Sequence, residues 1–253
     1  MNMKTLLHTS GMRALAAAGL LVAGLGFAAT ASATLVASVG GVPSAGVSYE
    51  NFDNCALGGV TCNTTSGITV NFGLDAEVAN GALSGRYAAP YLSNNNGMQF
   101  GDPNNGADAT NYLTSGSSSS HPGAAVTLLF PGVQRYMGLL WGSVDGYNTL
   151  TFFNGAASVG TFVGGNISGV AGIGNCVGGN QGLGGTCYVN INLLGGFDRV
   201  VATSDTYAFE FDNVAFGVDA IGVPEPGVAT MFLLGLLLLG SGYWLKRREN
   251  SVD

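Results

Sequence analysis

Read for hydrophobic and polar positions, the chain falls into three zones. An apolar run lies near each end, and short alternating segments broken by glycine and asparagine lie between them. In residues 66–73, Ile68, Val70 and Phe72 alternate with polar neighbours, the period-two pattern of a half-buried strand. Residues 34–39 and 47–52 are short and predict two earlier strands. Segments 124–130, 134–141, 148–153 and 157–163 then follow at regular short spacing, each bounded by Gly, Pro or Asn. Segments 188–194, 197–203 and 207–218 complete the series, and residues 142–146 predict a hairpin turn between two of its strands. Residues 88–120, rich in Asn, Asp, Gly and Ser, predict loops on one exposed face. No helical period of useful length interrupts the middle zone, and each of the 42 glycines would weaken a helix interior. The expected fold is all-β, a jelly-roll-like antiparallel sandwich.

The apolar ends have a different logic. Near the start, Lys4 and Arg13 precede an apolar core at residues 15–27, and Ala31-Ser32-Ala33 closes it with small residues. This is the layout of a secretory signal peptide cleaved between Ala33 and Thr34, which implies the Sec translocon and signal peptidase as partners. Near the finish, Val223-Pro224-Glu225-Pro226 leads into an uncharged run at 227–245 and then Lys246-Arg247-Arg248. The run is 19 residues long, close to the roughly 20 that cross a bilayer. The basic cluster stays cytoplasmic, so the preceding chain lies outside. Tyr243 and Trp244 occupy the position of an interfacial aromatic belt. The chain thus divides into a signal peptide at 1–33, an exported domain at 34–222 and a C-terminal segment at 223–253, with a transmembrane helix at 227–245 and a basic tail at 246–253.

The tail, with Pro224-Glu225-Pro226, the helix to Leu245 and Lys246-Arg247-Arg248 in that order, closely resembles the PEP-CTERM sorting signal of bacterial envelope and biofilm proteins. The resemblance implies recognition by an exosortase, a membrane cysteine protease-transpeptidase that cuts near Pro-Glu-Pro and releases or re-anchors the exported domain. An ordinary C-terminal anchor is the simpler alternative. Residues 136–155 and 209–217 look like a family of exosortase-dependent surface proteins with a single β-sandwich domain. That likeness implies architecture and location, with no enzymatic activity attached.

Charge narrows the partners. Residues 34–222 carry three arginines, Arg86, Arg135 and Arg199, and no lysine, against twelve acids, for a net −9. Nucleic acid, which requires clustered basic residues, is excluded as a partner. Metal cations or a neutral extracellular polysaccharide suit this surface better, although solubility alone accounts for the charge. The four cysteines form two local pairs, Cys55/Cys62 and Cys176/Cys187, each bracketing a Gly-rich loop. In an exported domain these predict disulfides, and their spacing does not match the usual zinc patterns.

Candidate chemistry is sparse. Asp212-Asn213 falls in the last strand segment, and Glu50 with Asp53-Asn54 near the first. In many jelly-roll carbohydrate-binding modules the terminal strands lie side by side and hold a structural calcium. Glu50, Asp53 and Asp212, with Asn54 or Asn213, are therefore a candidate Ca²⁺ set, because calcium takes six to eight oxygens. The competing reading has them capping strands and facing solvent. Trp141 and Tyr147 flank Asp145 at the expected turn, an arrangement suited to stacking on a sugar, or simply a core tryptophan beside a turn. His121 follows a serine run with no nucleophile elbow around it, and chance carboxylate pairs are expected among twelve acids.

The reading is a non-enzymatic exported protein, transiently anchored in the inner membrane and then placed at the cell surface or in the biofilm matrix. A carbohydrate-binding module delivered the same way is the alternative, with a secreted hydrolase or an ice-binding protein behind it.

Overall fold

The computed structural model describes residues 34–93, 96–102, 104–116, 124–169, 176 and 179–222. The signal peptide with Ala31 and Ala33, the sorting segment with Val223, Pro224, Glu225, Pro226, Lys246, Arg247 and Arg248, and His121 lie outside the described residues. Among the described residues no helix is long and apolar enough to cross a membrane.

Two long strands organise the architecture: β9 (Ala125–Gly142) and β12 (Cys187–Ser204), 18 residues each and antiparallel to one another. Sequence reading divides each in two, at Pro131-Gly132 and at Gly195-Gly196. In the structure the strands run through both points, and the register between them breaks there, between Asn192 and Phe197. Proline and glycine mark a bend rather than an end, as they do at sheet corners.

The bend lets one sheet serve two layers. The first half of β9 pairs with β4 (Thr69–Phe72), which carries β3 (Thr61–Asn63) beside it. The second half of β12 pairs with β10 (Asn148–Asn154), followed outward by β11 (Ala157–Val163). The other halves belong to a second layer. There β1 (Leu35–Val39) flanks β12, and β13 (Phe209–Gly217) flanks β9. The far edge of β13 takes β2 (Ser48–Glu50) and then β8 (Asn111–Ser115), beyond which lies β5 (Ala76–Asn80). All these pairings are antiparallel.

The expected hairpin at 142–146 is not formed, because β12 lies between β9 and β10. Residues 143–147 connect non-neighbouring strands instead.

Alternation along the central strands separates two faces. Met137, Leu139 and Trp141 of β9, Val189 and Ile191 of β12, and Phe209, Phe211 and Phe216 of β13 enter the main core. Aromatic rings tie it together: Trp141 stacks on Phe209 with centroids 4.4 Å apart, and Phe130 meets Phe197 edge-on at 5.4 Å. Each such pair adds roughly 1 kcal/mol beyond its burial. Tyr136 and Leu140 of β9, Tyr188 of β12 and Ala215 of β13 point the other way and form a second cluster with Leu92 and Phe100.

That second cluster overturns the expectation of an exposed loop face at 88–120. The described residues of 88–110 form a largely irregular excursion with a short hairpin, β6 (Tyr91–Leu92) with β7 (Gly106–Ala107), and a 3₁₀ turn at Met98–Phe100. The excursion lies over the outer face of β9 and β13. The next strand, β8, buries Tyr112, Leu113, Thr114 and Ser115. The Asn/Asp/Gly composition was legible as turn chemistry, but turn chemistry does not say whether a loop faces water or protein.

Both cysteine pairs are bonded as expected, Cys55–Cys62 and Cys176–Cys187, with Cα atoms 5.5 Å apart in each.

Candidate functional site

In β13, with sequence FEFDNVAFG, aromatic and acidic residues alternate over positions 209–212. In the structure every residue of it is buried. Phe209 and Phe211 enter the core, while Glu210 and Asp212 fall on the opposite face, beneath the excursion. Pairing with β9 shifts between Asp212 and Ala215, where Asn213 adopts a left-handed backbone with φ of 50°. This is a β-bulge, and bulges re-aim side chains next to sites. Asn is among the few residues that tolerate this region.

Asp212 is 1 % exposed, and neither of its carboxylate oxygens has a well-aligned hydrogen-bond partner, although the neighbouring Asn213 amide partly offsets its burial. Asp108, also buried, lies near enough to Asp212 and to buried Asp102 to act on both carboxyls. Asp108 Oδ1 accepts from the Thr110 amide at 2.8 Å and the Thr110 hydroxyl at 2.6 Å, which leaves Oδ2 unpartnered. Asp102 Oδ2 and Asn213 Oδ1 are buried and unpartnered as well. Burial pushes the Asp212 carboxyl well above the usual carboxylate range, with Asp108 reinforcing it. Asp102 is raised by the same two causes.

The three residues expected to ligate calcium meet different fates. The two terminal strands do lie side by side, with Glu50 of β2 opposite Val214 of β13. Glu50, however, commits both oxygens to main-chain amides, Phe52 at 2.8 Å and Ser66 at 3.3 Å. It holds a turn in which Phe52 is left-handed, with φ of 56°. Asp53 is exposed and is held by the Asn51 side chain at 2.7 Å and the Asn111 amide at 3.2 Å. Asn54 is exposed too. Of the expected set, Asp212 and Asn213 present buried, unpartnered oxygens, and their companions are Asp102 and Asp108. Those two sit in the asparagine-rich stretch, where no strand pattern distinguished them from ordinary turn aspartates.

A separate cleft opens beside the 143–147 connection. It has a volume of about 240 Å³, and Tyr87, Tyr147, Tyr207, Arg86, Gln181 and Asp145 line it. Tyr147 donates to Asp145 at 2.6 Å, and Arg86 lies over the Tyr207 ring at 5.1 Å. Glu210 also borders the cleft. It accepts from the Ala88 amide, and burial raises its carboxyl to about 7. Trp141, the other aromatic expected here, lies wholly in the core against Phe162 and Phe209.

No family model, curated protein or solved structure matches the chain. Function must therefore be read from the residues themselves.

Proposed function

We propose that this chain is a non-enzymatic exported protein, sorted by an exosortase to the cell surface or biofilm matrix. The observation that carries the reading is the ordered tail: Pro224-Glu225-Pro226, an uncharged run of 19 residues, and Lys246-Arg247-Arg248. The signal-peptide layout ending at Ala33 supplies the other half of an export route. Two disulfides in a chain of this kind agree with an oxidising destination. The exported part is a jelly-roll-like sandwich whose two long strands, β9 and β12, are shared between two layers.

Intact-mass analysis of the protein from its native envelope tests this directly. The expected product begins at Thr34 and ends near Pro226, and it disappears when the exosortase is deleted. A mass ending at Asp253 in both strains makes the tail a plain membrane anchor.

The cleft favours a second reading, a carbohydrate-binding module with the same delivery. Three half-buried tyrosines around a carboxylate and an amide offer apolar sugar faces a stacking surface and hydroxyls their partners. Glycan-array binding by the protein, lost on Tyr147→Ala, would move the assignment to this reading.

A further inference from the structure

Three buried carboxyl groups, with Asp108 acting on both Asp102 and Asp212 and four unpartnered carboxylate oxygens among them, pose an electrostatic problem. Unpaired buried charge is strongly unfavourable. The described cations are committed elsewhere. Arg86 pairs with Asp75 and Glu77, Arg135 bonds to the Leu194 and Val218 carbonyls, and Arg199 lies over Phe153 and reaches the Gly155 carbonyl. Beyond the partial help of the Asn213 and Asn104 amides, the cluster is compensated by protons shared between carboxyls or by a bound cation.

We propose that Asp102, Asp108 and Asp212, with the side-chain oxygen of Asn213, form a divalent-cation site whose ligand is calcium, and that the ion fastens the 88–110 excursion onto β13. The donor set is independent of the delivery route, while occupancy of the site by extracellular calcium rests on the export proposed above.

The donor set argues for the ion class. All the free atoms are oxygens, hard donors of the kind that calcium takes, and softer metals prefer the imidazole and thiolate that are missing from this set. The four cysteines are consumed in disulfides. The Asn213 amide donates its nitrogen to the Asn96 carbonyl at 3.5 Å, which leaves Oδ1 as its unsatisfied end. Asp108 is fixed by Thr110 through one oxygen and offers the other. Among the described residues, no three acidic, His or Cys side chains already stand at the spacing of a finished metal site. Binding must therefore draw Asp102 and Asp108 of the excursion toward Asp212, and main-chain oxygens and water would complete the six to eight ligands.

The placement gives the ion a purpose. The excursion buries few large apolar side chains, chiefly Leu92 and Phe100, for its length. Its two acids meet a strand that contributes a third acid and a strained Asn213. A cation converts this repulsive contact into the strongest tie between the excursion and the sheet. Outside the cell, calcium is abundant enough for a site with a Kd of about 0.1–1 mM to stay filled.

The full chain, purified in detergent and stripped with a chelator, provides the test. Calcium is titrated while melting temperature and terbium luminescence are followed, with magnesium as the competing ion. Calcium at about a hundredfold excess over its Kd is expected to raise the melting temperature by about 5–10 °C. It should also protect amides of residues 88–110 from hydrogen exchange. Asp212→Asn should raise the melting temperature of the stripped protein, because one buried charge is gone, and weaken calcium binding at least tenfold. Asp108→Asn serves as the second variant if Asp212→Asn does not fold, and exposed Asp219→Asn should leave the calcium response intact. No calcium-induced shift at about 10 mM, a concentration above the range of extracellular modules, together with no terbium signal, overturns the proposal in favour of shared protons.

Discussion

The carboxylate of Glu210 accepts a hydrogen bond from the main-chain amide of Ala88 at 2.9 Å, across 122 residues of sequence. One oxygen is satisfied and the other, Oε2, is buried without a partner. Burial is the largest cause of the raised carboxyl, with the nearby Asp145 charge adding to it. The Ala88 amide works in the opposite direction and favours the ionised form.

A pH dependence follows. A glutamate carboxyl ordinarily titrates at 4.5, and this one rises to about 7 in the folded protein. Well below 4.5 both states hold the proton, and the site is neutral in its effect. Between 4.5 and about 7 the unfolded chain releases the proton while the folded protein keeps it, so stability falls as pH rises. The full loss is about 3 kcal/mol, reached above that window. Urea unfolding of wild type and Glu210→Gln from acid to mildly alkaline pH isolates this group from the other raised acids. The glutamine retains an acceptor for Ala88, so the difference between the two proteins should widen with pH across the window. Parallel curves would assign the dependence elsewhere.

The contrast between what the sequence shows and what it hides is sharpest on β13. Segment 207–218 was legible as a strand, and in the structure Phe209 and Phe211 lie on its core face, opposite Glu210 and Asp212. Period-two alternation reports polarity, however, and a polar face can be wet or covered. Here it is covered by residues 88–110, whose own composition signals only turns. Likewise the regular strand spacing revealed an all-β fold, but Pro131-Gly132 and Gly195-Gly196 were indistinguishable from terminators. The pairing order, with β12 between β9 and β10, depends on contacts far apart in sequence that no local pattern carries. Asp212 was legible as a candidate ligand because it lies in a terminal strand beside β2. Asp102 and Asp108 were not, since only the long-range fold brings them beneath it.

Glu50 is expected to be a structural acid. It gives its oxygens to the Phe52 and Ser66 amides and thereby holds the left-handed Phe52 and the loop before β4. Glutamine offers one acceptor in place of two and turns an amide nitrogen toward the other donor. Glu50→Gln should cost about 1–3 kcal/mol in urea unfolding while leaving the calcium-induced shift in melting temperature unchanged. A variant of normal stability that no longer responds to calcium would restore Glu50 to the ligand set.

Gly138 of β9 is a packing requirement. A Cβ there would meet the Tyr188 hydroxyl at 2.8 Å and crowd that of Tyr136, both buried beneath the excursion. Tyr136 is also held by its bond to Asn190 at 2.6 Å. Gly138→Ala must displace two confined rings, and overpacking of this sort typically costs about 1–3 kcal/mol. Thermal or urea unfolding would show it, and a neutral result would mean that the excursion yields easily. Adding Tyr188→Phe to Gly138→Ala should recover part of the loss, since the unpartnered hydroxyl is one of the colliding atoms.

Trp141 and Tyr147 separate stability from recognition. Trp141 is fully buried, stacked on Phe209 at 4.4 Å and edge-on to Phe162 at 6.1 Å. Truncation to alanine should cost about 3–5 kcal/mol, so any lost glycan binding would only report unfolding. Tyr147 is half-buried at the cleft, and its hydroxyl is joined to Asp145. Tyr147→Ala should shift the melting temperature by only a few degrees, because it removes a half-buried ring at the cleft and two part-buried bonds of its hydroxyl, to Asp145 and to the Tyr207 carbonyl. Polysaccharide binding measured on this variant is therefore the clean test of the cleft. Binding that survives Tyr147→Ala and Gln181→Ala together would remove the cleft as a sugar site and leave the surface role as the whole function.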